Sequence, residues 1–89
     1  MIESKVEIIN RLGLHARAAA KLVHTAAAFT SEVTLVKDRE AVDAKSILGI
    51  LQLGAPKGSH LSIRCHGEDE SAALEAVTGL ISDRFGEED

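Results

Sequence analysis

One histidine in this sequence stands where phosphoryl chemistry is easy to set up. Gly13-Leu14-His15-Ala16-Arg17 opens a segment with helical spacing, and positions 12 to 16 hold no Ser, Thr, Asp or Asn. A helix leaves its first backbone N–H groups without partners, and a side-chain cap normally takes one of them. With no capping residue at hand, the amides of Ala16 and Arg17 are available to an external anion. Arg17 adds a permanent charge and a fork of donors matched to phosphate oxygens. His15 sits at the mouth of this site, and the positive end of a helix favours the neutral, nucleophilic imidazole. Attack on a phosphoryl group would give a phosphohistidine, its new charge held by the same donors at roughly 1.5–3 kcal/mol per charge-assisted bond. Stripped of these neighbours, His15 would be an ordinary surface residue at a helix start.

The charge distribution supports an anion site there. The chain has 89 residues and a net charge of −4, yet residues 8–31 hold no acid and three bases, Arg11, Arg17 and Lys21. Residues 67–89 carry eight acids against Arg84 alone. The overall acidity and the absence of Trp and Tyr argue against bulk nucleic-acid binding and base-stacking platforms. The lone Cys65 excludes an internal disulfide and fits a reducing, cytoplasmic setting, and no apolar run is long enough for membrane insertion.

Other constellations are weaker. His15 and His24 are nine residues apart and face opposite sides of a helix, while His60 and His66 lie about 20 Å apart along a strand. Cys65 points to the other face of that strand, so no metal site and no cofactor are expected. Ser46 precedes the short apolar run Ile47-Leu48-Gly49-Ile50-Leu51-Gln52-Leu53 and reads as its helix cap. Five large apolar residues on so short a helix cannot all face inward. Those left outside would form an apolar docking patch, rimmed by Arg11, Lys21, His24 and Lys45.

The elements that must position these residues follow from periodicity. Ile2, Val6 and Ile8 sit at alternating positions in a first strand. Ala19, Leu22, Val23, Ala26 and Phe29 mark a helix from about His15 or Ala16 to about Ala28. Val33 and Leu35 belong to a second strand. Lys37-Asp38-Arg39-Glu40 turns into a short third strand near Ala41–Val42, without the usual hairpin glycine. The Ser46-capped helix ends at Gly54, and Leu61, Ile63 and Cys65 alternate in a fourth strand. A last helix opens in Glu68-Asp69-Glu70, with Leu74, Val77, Leu80, Ile81 and Phe85 as its inward stripe. The order β-α-β-β-α-β-α predicts an α+β, two-layer open-faced β-sandwich, with the helices on one face and residues 1–89 as one domain. Periodicity leaves the strand order open.

Gly13-Leu14-His15-Ala16-Arg17 with Ala18-Ala19 resembles the active-site signature of the HPr family, the histidine-containing phosphocarriers of the bacterial phosphotransferase system. Lys45-Ser46-Ile47-Leu48-Gly49-Ile50-Leu51-Gln52-Leu53-Gly54 resembles a second signature, and Gly67-Glu68-Asp69-Glu70 a third. The resemblance covers essentially the whole chain. It implies a four-stranded antiparallel sheet in the order 1-4-2-3, phosphorylation of His15 on Nδ1 by phosphorylated enzyme I, and transfer to a IIA protein or domain. Arg17 would be the phosphate-site arginine, and Ile47, Leu48 and Leu51 would stand at partner-contact positions. In some members the serine matching Ser46 is a target of an ATP-dependent serine kinase, which weakens docking of enzyme I. A soluble cytoplasmic monomer is expected, a covalent intermediate in a transferase chain rather than a stand-alone enzyme.

Ala18 departs from the proline of many members. Residues 12–23 and the ending Arg84-Phe85-Gly86-Glu87-Glu88-Asp89 look like the nitrogen-related NPr branch, whereas Lys45-Ser46 is shared by sugar-transport members, so the branch stays open. The rival functional class is a non-enzymatic interaction module on the same fold, acting through Ser46, Ile47, Leu48 and Leu51 and indifferent to His15.

Overall fold

Alternation in the first strand sorts its side chains cleanly: Ile2, Ser4 and Val6 turn toward the helices, while Glu3, Lys5 and Glu7 face solvent. The structure, a computed structural model, describes residues 1–88. Its elements are β1 (Ile2–Glu7), α1 (Ala16–Ala27), β2 (Glu32–Lys37), β3 (Glu40–Asp43), α2 (Ile47–Leu53), β4 (His60–His66) and α3 (Glu70–Ser82), closed by a 3-10 turn, Arg84–Gly86.

The strands form one antiparallel sheet in the order β1-β4-β2-β3. Val6 lies opposite Leu61, Ile63 opposite Leu35, and Leu35 opposite Val42, so one face of the sheet is mainly apolar, with Ser4 opposite Ile63 as an exception. β1 and β2 run in the same direction with β4 between them, and β3 and β4 do so with β2 between them. Each of the helices α1 and α2 therefore carries the chain across one intervening strand. The core lies between this sheet face and the helices, with Ile8, Leu22, Leu35, Ile50, Leu61, Ile63, Val77, Ile81 and Phe85 all fully buried. Cys65 is buried here too, and burial pushes its thiol pKa up, aided by the charges of Glu70 and Asp69.

Two local expectations need correction. Periodicity placed Phe85 on the stripe of the last helix, but α3 stops at Ser82. Arg84, Phe85 and Gly86 all have positive φ (55°, 56° and 76°), which turns the chain off the helix axis while Phe85 still reaches the core. Burial, not helical register, explains why that aromatic is there. The acidic opening was also one step out: α3 begins at Glu70, and the Asp69 carboxylate accepts from the amides of Thr30 and Ser31, each at 2.9 Å, and from the Ser31 hydroxyl. Those bonds hold its pKa down at about 2 and tie the start of α3 to the loop after α1. Gly67 makes this approach possible, because a Cβ there would lie 2.5 Å from Ser31 Oγ. In the β2–β3 turn, Asp38 takes the left-handed role usually given to glycine, with φ 55°.

Candidate functional site

The connection from β1 to α1 is pinned before it reaches His15. Ile8 N–H donates to Ser59 O at 2.9 Å, Gly58 N–H to Ile8 O at 2.7 Å, and Leu14 N–H to Ala55 O at 2.9 Å. The loop after α2 thus braces the loop before α1. Gly13 allows the close approach: its φ is +68°, and a Cβ would meet Ala55 O at 2.7 Å and Pro56 Cα at 2.8 Å. Leu14 is buried, which fixes the rotation of the chain and leaves its neighbour His15 at the rim.

His15 is the N-cap residue of α1, extended at φ −80° and ψ 178°, and its side chain makes no capping bond. The first helical hydrogen bond runs from Ala19 N–H to His15 O at 2.8 Å, so the amides of Ala16, Arg17 and Ala18 precede the ladder. The sequence reading named the first two; Ala18 joins them because the helix begins at Ala16. The alanine that replaces the common proline continues the helix without distortion and is fully buried. Arg17 is exposed and lines an open cleft with Arg11, Leu12, His15, Glu87 and Glu88.

Glu87 is the site residue that sequence reasoning missed. His15 Nε2 and Glu87 Oε2 are 2.6 Å apart, and the other carboxylate oxygen accepts from Asn10 Nδ2 at 3.1 Å. The bond from His15, seconded by that from Asn10, lowers the pKa of Glu87, so the carboxylate is ionised near neutrality. Asn10 is fully buried, and the same Nδ2 also donates to Gly13 O at 2.8 Å. These residues are 72 and 77 positions from Glu87 in the chain. No spacing signal could link them; the acidic tail registered as net charge and as an ending resembling the NPr branch, not as part of the site.

Lys21, expected on a docking rim, is half-buried, and its Nζ donates to Phe85 O at 2.6 Å. Lys45 likewise donates to Phe29 O at 2.8 Å. Lys21 thus ties the middle of α1 to the turn after α3, and Lys45 ties the start of α2 to the end of α1, whereas His24 is exposed on α1. Ser46 caps α2 as expected, its Oγ accepting from Gly49 N–H at 3.1 Å, and Gly54 ends the helix in the left-handed conformation. Of the apolar residues on α2, Ile50 and Leu53 enter the core, while Ile47, Leu48 and Leu51 remain 42%, 73% and 39% exposed. Leu12, beside His15, is 58% exposed and belongs to the same class of surface. Among the described residues no three His, Cys, Asp or Glu side chains group to hold a metal ion, and no helix is long and apolar enough to cross a membrane.

The fold and site together define an open-faced α+β sandwich that presents one histidine at an uncapped helix end. The family described as "PTS HPr component phosphorylation site" matches residues 2–83. The chain is 46% identical to phosphocarrier protein HPr of Neisseria meningitidis serogroup A over 87 residues, covering 98% of both chains. It is 41% identical to phosphocarrier protein NPr of Shewanella violacea over 86 residues, covering 97% of this chain and 94% of that one. The crystal structure of HPr-C-His from Thermoanaerobacter tengcongensis superposes with a TM-score of 0.96 at 45% identity and 99% coverage of each chain. The chain belongs to the HPr phosphocarrier family of the phosphotransferase system.

Proposed function

We propose that this protein accepts a phosphoryl group on His15 from phosphorylated enzyme I and passes it to a IIA protein or domain. The observation that carries this reading is the start of α1, where His15 stands beside three amides that precede the helical ladder and beside exposed Arg17. The bond between Nε2 and Glu87 supports Nδ1 as the nucleophile, because that nitrogen keeps its lone pair when the proton sits on Nε2. A carrier must also release its group, and an open, water-washed helix end with one arginine holds a dianion without sequestering it.

Ile47, Leu48 and Leu51, with Leu12 and His24, supply the docking surface for both partners; the apolar three are exposed on a helix whose other large apolar side chains, Ile50 and Leu53, are buried. Lys21 serves the site from behind, through its bond to Phe85 O. Ser46 is a regulatory phosphorylation candidate for a serine kinase, since a dianion at a helix start is electrostatically tolerated while altering the neighbouring patch. The carrier works in the cytoplasm as a monomer, in sugar uptake or in its nitrogen-related regulatory branch.

The test is incubation with phosphoenolpyruvate and a cognate enzyme I, followed by analysis of the modified residue. An acid-labile, base-stable phosphoryl group that disappears in His15→Ala is the expected result. Absence of label, or label that persists in that variant, would remove the reading.

A further inference from the structure

The C-terminal segment after α3 is built to reach one atom. Three successive left-handed residues, Arg84, Phe85 and Gly86, reverse the chain at the end of the helix. L-residues enter that region at a cost, so something must hold them there. Phe85 is fully buried, its carbonyl accepts from Lys21 Nζ at 2.6 Å, and Arg84 Nη1 donates to Glu88 O at 3.1 Å. The strap so fixed delivers the Glu87 carboxylate to His15 Nε2 at 2.6 Å. Asn10 fixes the carboxylate in turn. Both groups that its Nδ2 meets, Gly13 O and Glu87 Oε1, are acceptors, so the amide orientation is set, at the cost of a buried Oδ1 without a partner.

Resting on the carrier reading of His15, we propose that Glu87 is a positioning residue for phosphoryl transfer, holding the His15 proton on Nε2 and the ring in place, with Asn10 holding Glu87. The carboxylate accepts from Nε2–H, and Nδ1 presents its lone pair toward the open amides. In the transfer step that lone pair forms the new N–P bond. The donor's bond to phosphorus breaks and returns its electron pair to the donor atom. No proton need leave His15: Nε2–H stays in place, and the phosphorylated ring carries a positive charge that faces the Glu87 carboxylate. The same arrangement serves onward transfer, because a ring kept protonated on Nε2 leaves as neutral imidazole. The other charges around this pair are Arg11, Arg17 and Glu88 in the cleft and Lys21 behind the strap. Three of these four are cations, which favour the ionised carboxylate.

The experiment pairs two readouts on the full chain and on Glu87→Ala, Glu87→Gln and Glu87→Asp. Ring-nitrogen NMR of the unphosphorylated protein, at a pH where His15 is neutral, reports the tautomer. Rapid-quench kinetics with phosphorylated enzyme I report the transfer rate. Wild type should show a protonated Nε2 and an unprotonated Nδ1, with this preference weakened in the Ala and Gln variants. Transfer should slow roughly 10-fold in both, the effect expected for a carboxylate that orients a histidine, with Asp recovering part of the loss. Circular dichroism should show the fold unchanged, since the core residue of the strap is Phe85. Wild-type tautomer and rate in Glu87→Ala, in a protein that does take phosphate on His15, overturn the positioning role and leave the carrier reading intact. No phosphoryl uptake by wild type overturns both.

Discussion

Two helix starts in this molecule meet the same physical problem in opposite ways. At α2, Ser46 turns its hydroxyl onto Gly49 N–H and closes the end of the helix. At α1, the equivalent position is His15, whose ring turns away toward Glu87 and leaves the first amides without a side-chain cap. A cap contributes about 1 kcal/mol to a helix, so leaving one out is a measurable sacrifice in a small domain. The lesson is that α2 is closed by its own side chain, whereas α1 keeps its first amides open, as the proposed phosphoryl site requires. Both starts are anchored by the loops around them, and the difference lies only in what the N-cap side chain does.

The largest effect that would sharpen this contrast is on chemistry. His15→Ala should lose phosphoryl uptake entirely while keeping the far-ultraviolet circular dichroism of the parent. Arg17→Ala should come next, slowing transfer by about a hundredfold, as loss of one charge-stabilising donor commonly does. Rapid-quench kinetics with phosphorylated enzyme I would measure it, and a rate near wild type would mean that the amides alone hold the phosphoryl group.

Gly13→Ala tests how α1 is held rather than what it does. The added Cβ meets backbone atoms of Ala55 and Pro56 inside 3.0 Å, at a positive φ. Urea unfolding should show a loss of about 1–3 kcal/mol, the range for a strained backbone position. Stability close to the parent would show that the two loops are not in fixed contact. Closing and opening the caps gives a smaller, direct comparison. Ser46→Ala should cost about 1 kcal/mol, and His15→Ser should be more stable than His15→Ala by about the same amount. If the serine gains nothing at position 15, the α1 start is not short of a cap.

The start of α3 extends the comparison to acid. Asp69 has its pKa lowered from 3.8 to about 2 by the Ser31 hydroxyl first and then the Thr30 and Ser31 amides. A depressed carboxylate adds stability that is present above its unfolded pKa and is lost as pH falls through the folded value. Stability should therefore decline between about pH 4 and about pH 2, and Asp69→Asn should flatten that decline in acid unfolding followed by circular dichroism. An unchanged acid profile would show that Asp69 is not tethered to the loop after α1.

What was legible in the sequence follows the range of the forces involved. Alternation in Leu61, Ile63 and Cys65 marked β4 because each inward residue contacts the helices directly, and Ser46 announced its cap because the bond spans three residues. Gly13, His15 and Arg17 could be read together because they are local to one helix start. The strand order was supplied by family resemblance, since pairing such as Val6 opposite Leu61 leaves no periodic trace. The strap was misread for a physical reason. Phe85 is apolar at a helical interval from Ile81, yet three left-handed residues carry it to the core by another route. Glu87 was hidden with it, because its partners His15 and Asn10 lie at the far end of the chain.

If His15 carries the phosphoryl group, the uncapped start of α1 receives it. Amide NMR of the 15N-labelled protein before and after phosphorylation by enzyme I tests this most directly. The largest shifts are expected at Ala16, Arg17 and Ala18, with the capped Gly49 amide in α2 unmoved. Phosphorylation that leaves the three α1 amides where they were would contradict that expectation.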